Sequence, residues 1–401
     1  MVKRSNKWLV LTLATLIHLT VVGIPWTVMP VLFTSTAREL NLSIGQIGML
    51  WSMLPIGAAI FAIPGGLLGD RLGFVKIIGI GSFVVAVASG LRGVSPNITI
   101  LMVTMLFCGA SIALVFPNVP KVASLFFPPN QVGLATGILV AGFALGGVLA
   151  TALSATVLMP WLGSWRNVLF FYSAICVLLG VIWLAVMRTT VSSTTPVSTG
   201  TPLPRVTFRK SLTTVLSVRD TWLLTIGNLG IVGSYISLNG YLPTYLEKAG
   251  LPKSLGDTMV STLFVASIFG AILIPALADR LGRRKLVLVI VAIITFVSTL
   301  SLAVSNAALF WLLIPIIGAG TQGVGTLIFV QAVQTKGIGM QYAGTTLGLV
   351  GSFANLGGFI LPFFGGKLAE RSQSLPFVFW SVMVLFAAGC FALLGRAKSQ
   401  G

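Results

Sequence analysis

Charge is what this chain has least of. Only 8% of its 401 residues are Asp, Glu, Lys or Arg, against about a quarter in an average soluble protein, so no water-facing surface can be built around it. Acids are scarcest, seven in all. Each lies at the end of an apolar run or between runs, so no carboxylate stands mid-membrane to couple a proton or sodium ion. There is one histidine, His18, and with no acids clustered near it a catalytic constellation is hard to assemble. Neither a catalytic role nor a cofactor is expected. Three cysteines, Cys108, Cys176 and Cys390, sit inside apolar segments at spacings that suit neither a disulfide framework nor a metal site. Short strands of alternating polarity, the mark of a transmembrane barrel, are also missing.

What is present is apolar sequence: 56% of residues are hydrophobic and the mean hydropathy is +1.02. Runs of about 20 residues recur, each long enough to cross a hydrocarbon core as a helix. A helix is required because lipid cannot satisfy open backbone groups. Twelve spans are expected, at 8–33, 45–68, 77–94, 98–124, 131–159, 167–187, 220–245, 257–277, 286–304, 309–333, 342–366 and 375–395. The first follows Lys3, Arg4 and Lys7 like a secretion signal, but it runs too long and lacks a small-residue cleavage site, so it reads as a retained span. The formal net charge of +18 would suggest nucleic acid in a soluble protein; here it reports topology, and no nucleic-acid partner is implied. Eighteen of the 25 Lys and Arg residues fall on the side holding both termini and seven on the other, which places both termini in the cytoplasm.

The apolar pattern stops between Thr189 and Ser217, where VSSTTPVSTGTPLPR reads as a flexible cytoplasmic linker. The expected domains are 1–188, the linker 189–218, and 219–401. The halves resemble each other. GDRLGFVK, Gly69 to Lys76, matches ADRLGRRK, Ala278 to Lys285, at an offset of 209; GLATG from Gly133 matches GTTLG from Gly344 at an offset of 211, as Gly146-Gly147 matches Gly357-Gly358. Repeats related by an axis along the membrane normal are one way to build a transporter.

These paired turns resemble the major facilitator superfamily, whose loop between the second and third spans carries Gly-x-x-x-Asp-Arg-x-Gly and then basic residues. Here it stands as Gly66, Asp70, Arg71 and Gly73, recurring as Asp279, Arg280, Gly282, Arg283 and Arg284. Gly73 and Gly282 suit the left-handed backbone of a helix end. The resemblance covers essentially the whole chain. It implies an all-α membrane fold of twelve helices in two pseudo-symmetric six-helix bundles and transport by alternating access. It also implies a charge network at the Asp-Arg turns that latches one conformation. Departures exist: Phe74 and Val75 replace basic residues in the first copy, and Pro275 replaces glycine in the second. The fourth span has Met105, where drug antiporters of the family carry arginine four residues before a glycine, and the fifth lacks their Gly-Pro. Pro120 to Ile138 and Gly240 to Gly250 are similar to segments of the family's anion and cyanate/nitrate-like branches, as is Arg92. However, the second and eighth spans lack the arginines of nitrate porters.

In this family spans 1, 4, 7 and 10 face the cavity. Their polar residues recur at helical spacing: Thr104, Cys108, Ser111, Asn118 and Lys121 in span 4; Asn228, Tyr235 and Asn239 in span 7; Gln322, Thr326 and Phe329 in span 10; His18 and Trp26 in span 1. Such residues either wall a hydrated path or bind helices to one another. Arg92 and Lys121 either snorkel to headgroups or point inward and pair with an anion. His18 either carries a proton or contacts substrate, or is a neutral bridge between helices. The expected function is transport of a small organic or inorganic anion, with efflux of amphipathic drugs or metabolites as the alternative. The chain is expected to act as a monomer among membrane lipids, in a plasma membrane such as a bacterial inner membrane, on a small-molecule substrate.

Overall fold

The computed structural model describes residues 4–191, 208–248, 250–304, 307–333, 335, 338 and 342–395. Twelve of its helices are long and apolar enough to cross a membrane, and each falls on an expected run. Span 1 covers Arg4–Leu40 and span 2 Ile44–Leu72; span 3 is Phe74–Gly93, span 4 Ile98–Val115, span 5 Pro129–Leu153 with an extension to Leu162, and span 6 Trp165–Val191. Spans 7 to 12 are Arg219–Lys248, Lys253–Leu281, Arg284–Ser301, Ala307–Val333, Ala343–Arg371 and Leu375–Ala392. No strand occurs among the described residues.

Three departures have local causes. Span 1 is interrupted by a π-helical turn, His18–Gly23, whose wider winding leaves backbone carbonyls open to outside donors. Span 4 ends at Val115 rather than near 124. Pro117 and Pro120 cannot donate to a helical ladder, and the chain restarts as the short helix Lys121–Phe126. Thr104, Cys108 and Ser111 therefore share a helix, whereas Asn118 and Lys121 lie beyond its end. The expected linker is not all irregular. Span 6 runs to Val191, and Phe208–Ser217 is a helix whose Val215 packs with Ile338 and Tyr342. Residues 192–207 lie outside the described residues.

The helices form two compact units, Met1–Leu42 with Met53–Thr199, and Ser43–Ser52 with Gly200–Gly401. Within the first, span 3 packs on span 6 and span 1 on span 5; within the second, span 9 packs on span 12 and span 7 on span 11. These are the same pairings one repeat later, and the glycines show why. A Cβ built on Gly23 would strike the Phe143 carbonyl and the Gly146 Cα, and one on Gly233 would strike the Gly357 backbone. The span 2 to span 4 contact repeats likewise: Gly109 lies against the Leu54 carbonyl, and Gly318 against that of Leu263. Without hydrophobic drive between helices in lipid, backbone approach at small residues supplies the packing.

At one end of the first unit Arg166 ties three spans together. Its Nε lies 3.0 Å and its Nη2 2.9 Å from Glu39 Oε1, and Nη1 donates to the Gly93 and Ser95 carbonyls, each at 2.8 Å. Trp165 Nε1 donates to the second Glu39 oxygen, so the carboxylate and guanidinium close the ends of spans 1, 3 and 6.

Candidate functional site

In the first unit the expected site residues separate into groups with different surroundings. His18 opens the π-helical turn and is 3% exposed. Its Nδ1 is 2.7 Å from the Leu139 carbonyl oxygen of span 5. A carbonyl only accepts, so Nδ1 carries the hydrogen, and in a neutral ring Nε2 is then an acceptor. Nε2 is buried and has no partner among the described residues. Phe116 and Phe143 flank the imidazole, ring centroids 5.6 and 5.7 Å away. On the same turn Cys176 reaches the Thr20 carbonyl, its Sγ at 3.4 Å.

Arg92 does not snorkel. It is 1% exposed, with Nη1 3.0 Å from the Pro25 carbonyl of span 1, Nη2 3.0 Å from Ser89 Oγ, and Nη1 3.9 Å from the Met105 sulfur. Among the described residues its Nε is buried without a partner, and none of its hydrogen-bonding partners is an acid. Trp26 is half-buried on the turn after Pro25.

The remaining groups of span 4 mostly bond locally. Ser111 Oγ donates to the Phe107 carbonyl at 2.7 Å, and Thr104 Oγ1 to the Leu101 carbonyl at 2.9 Å, the back-bonding that hydroxyls favour in helices. Asn118 Nδ2 reaches the carbonyls of Leu114 at 2.9 Å and Gly65 at 3.1 Å, and fills the space that Gly69 leaves by having no Cβ. It joins the break in span 4 to span 2. Lys121 is half-buried at the start of the short helix.

In the second unit Asn228 is fully buried, with Nδ2 3.1 Å from the Val350 carbonyl of span 11 and Oδ1 without a partner among the described residues. Tyr235, on the same helix, turns to other neighbours: its hydroxyl is 3.2 Å from Ser267 Oγ, which also reaches the Gly318 carbonyl at 3.1 Å. The two residues share spacing but no partner. Asn239 is 3% exposed and its Oδ1 is unpartnered among the described residues. Gln322 is half-buried, its carbonyl accepting from Thr326 Oγ1 at 2.9 Å; Phe329 is 38% exposed. Asp257, placed by sequence at a span end, is 1% exposed within the fifth residue of span 8.

Of the two motif turns, Gly282 takes the expected left-handed helix end, whereas Gly73 pairs a positive φ with an extended ψ of 147°. Gly73 has φ +82° and Gly282 φ +61°, values that residues with a Cβ rarely adopt. Asp279 Oδ1 is 2.8 Å from Arg284 Nη2 and also accepts from Arg284 Nε at 2.8 Å, across the Gly282 turn; Arg280 and Arg283 are exposed. Gly66, Asp70 and Arg71 fall in the last turns of span 2; the side chains of Asp70 and Arg71 lie outside the described residues.

Sequence reading missed Leu139, Phe143 and Phe116 as neighbours of His18, and Ser89 and Pro25 as partners of Arg92. A signal existed for Leu139: it precedes Val350 by the 211 residues that already separate the glycine pairs. A cavity of about 20 Å³ in the second unit, lined by Gly48, Trp51, Gly240, Tyr241 and Trp380 among others, has room for about one water and is no cargo site.

Residues 11–362 match the family model described as Major Facilitator Superfamily. The "Cis,cis-muconate transport protein" of Acinetobacter baylyi is 28% identical over 292 residues, covering 70% of this chain and 68% of that protein. The "Probable nitrate/nitrite antiporter NarK1" of Thermus thermophilus is 26% identical over 428 residues, covering 97% and 91%. Among solved structures, a bacterial homolog of the human lysosomal transporter Spinster, in an inward-facing and unoccupied conformation, superposes with a TM-score of 0.78 at 18% identity, covering 98% of this chain and 97% of that one.

Proposed function

Because this chain belongs to the Major Facilitator Superfamily and is a multi-pass membrane transporter, we propose that its cargo is a small organic or inorganic anion moved by alternating access. Arg92 carries this reading. A guanidinium buried among a carbonyl, a hydroxyl and a thioether has been desolvated without a compensating carboxylate among the described residues. Such a cost, several kcal/mol per ion even after relaxation, is understandable where an anion supplies the missing charge during the cycle. Relatives named for muconate and for nitrate/nitrite support the same cargo class. The excess of basic residues at one set of loops supports cytoplasmic termini in a bacterial inner membrane, with the chain acting as a monomer among lipids.

Uptake into proteoliposomes of labelled muconate, benzoate, para-hydroxybenzoate, lactate and nitrate, beside a lipophilic cation, tests this. Saturable uptake of at least one anion is expected. Transport of the cation alone would instead establish drug efflux.

The Asp279 to Arg284 pair supports a latch at the second motif turn. Asp279→Asn is expected to change turnover about tenfold, in either direction, with cargo affinity unchanged, because the bond serves one conformation and not the cargo. An affinity that moves in step with turnover would place Asp279 in binding instead.

A further inference from the structure

The two units repeat one feature that lies outside the motif. Asn228 follows His18 by 210 residues and Val350 follows Leu139 by 211. Gly233 follows Gly23 by the same 210, and Gly357 follows Gly146 by the same 211. In each unit, therefore, a polar side chain donates to a carbonyl of the glycine-rich span, and five residues later a glycine crosses that span's backbone. Each donor is assigned by its partner, since a carbonyl oxygen only accepts. What each residue has left is an acceptor, Nε2 of His18 and Oδ1 of Asn228, and both are buried with no partner among the described residues.

A bridge between helices needs only the donor. A stranded buried acceptor costs about 1–3 kcal/mol; Asn118 Oδ1 and Asn239 Oδ1 are stranded among the described residues too, but only His18 and Asn228 stand at repeat-equivalent positions, with two different residue types. The surroundings of His18, two phenyl rings and a carbonyl, hold no acid to pair with an imidazolium, and in the neutral ring Nε2 has a lone pair to offer. An oxyanion without hydrogens would set lone pair against lone pair at either residue.

We propose that His18 and Asn228 are equivalent recognition groups, one in each unit, which accept hydrogen bonds from the cargo during its passage. The cargo is therefore an organic acid that also carries a hydroxyl or N–H donor, and not a donor-free oxyanion such as nitrate. This rests on the reading of the chain as an anion transporter and narrows it. Phe116 and Phe143 beside His18 suit a planar, unsaturated carbon skeleton.

The test uses the purified protein and matched ligands in which a methyl group replaces the hydroxyl hydrogen, para-hydroxybenzoate against para-methoxybenzoate and lactate against its methyl ether, with nitrate beside them. Binding is followed by ligand-dependent thermal stabilisation and by competition in proteoliposomes. In at least one pair the hydroxy acid is expected to bind about tenfold or more tightly than its ether, because a site built to bond a hydrogen rejects the analogue lacking it. His18→Leu and Asn228→Leu should bring that ratio close to one. His18→Asn and Asn228→His, which keep one donor and one acceptor, should preserve it, and they guard against mere loss of folding. Pairs that bind alike, nitrate that binds as tightly as the hydroxy acid, or a ratio that survives both leucine variants would overturn the donor requirement while leaving anion transport standing. Failure of every anion to bind would instead remove the parent reading, and this one with it.

Discussion

Valine at Gly233 is expected to leave almost no monodisperse, transport-competent protein. The Cβ of any side chain there would lie 2.7 to 2.9 Å from the backbone carbonyl carbon, Cα and oxygen of Gly357. Backbone atoms inside a helix cannot rotate aside as a side chain would, so spans 7 and 11 must move apart along their whole contact. Ordinary overpacking by a methylene or two costs about 1–3 kcal/mol. Here the displaced element is an entire helix that carries the Asn228 to Val350 bond, so the loss should exceed that range. Gly348 in the same span 11 is the control: nothing lies within 4 Å of a Cβ built there, and Gly348→Ala should hold or slightly raise the melting temperature through better helix propensity. Thermal unfolding in detergent checks both. A Gly233→Val protein that melts with the parent would show that the crossing yields more easily than its geometry implies.

The second large effect concerns transport and leaves stability nearly untouched. Arg92→Met is expected to lower anion uptake, as kcat/KM, about a hundredfold or more, which corresponds to about 3 kcal/mol, with little change in melting temperature. Two terms oppose each other in the folded state. Losing the bonds to the Pro25 carbonyl and Ser89 Oγ costs about 1 kcal/mol apiece. Removing a desolvated guanidinium returns several kcal/mol, and methionine fills much of the space, a trade often neutral or stabilising. A structural cation would therefore not be missed, and a functional one would. Arg92→Lys should recover part of the uptake by restoring the charge, though not the fork that reaches two partners. Full anion uptake by Arg92→Met would rule out the role proposed for this residue.

Much of the architecture was legible because membrane helices obey constraints that act on composition. The twelve runs, the repeat offsets near 210 and the positive φ at Gly73 and Gly282 all follow from hydropathy, self-similarity and the chemistry of one residue type. What could not be read depends on which neighbour a side chain meets. Helical arithmetic put Asn118 and Lys121 on one face with Ser111, but Pro117 and Pro120 end that helix first. Arg92 lies near a span end, where a long side chain can reach water, and only the carbonyl of Pro25 and the hydroxyl of Ser89 explain why it turns inward. For His18 the sequence left proton carrier, ligand contact and helix bridge open. The Leu139 carbonyl fixes its tautomer, a fact that lives in tertiary structure alone.

The ten residues Ser43–Ser52 come early in the chain yet belong to the second unit. Gly48 lies against the Pro362 carbonyl and the Gly366 backbone, and Trp51 donates to the Ile236 carbonyl at 2.7 Å. The boundary between the compact units therefore does not follow the boundary between the sequence halves. A fragment ending in the linker would bear an indole and a glycine face with nothing to cover them, and the complementary fragment would lack part of its own core. Synthesis of span 2 before spans 7 and 11 would then leave that end of the helix uncovered until its partners emerge.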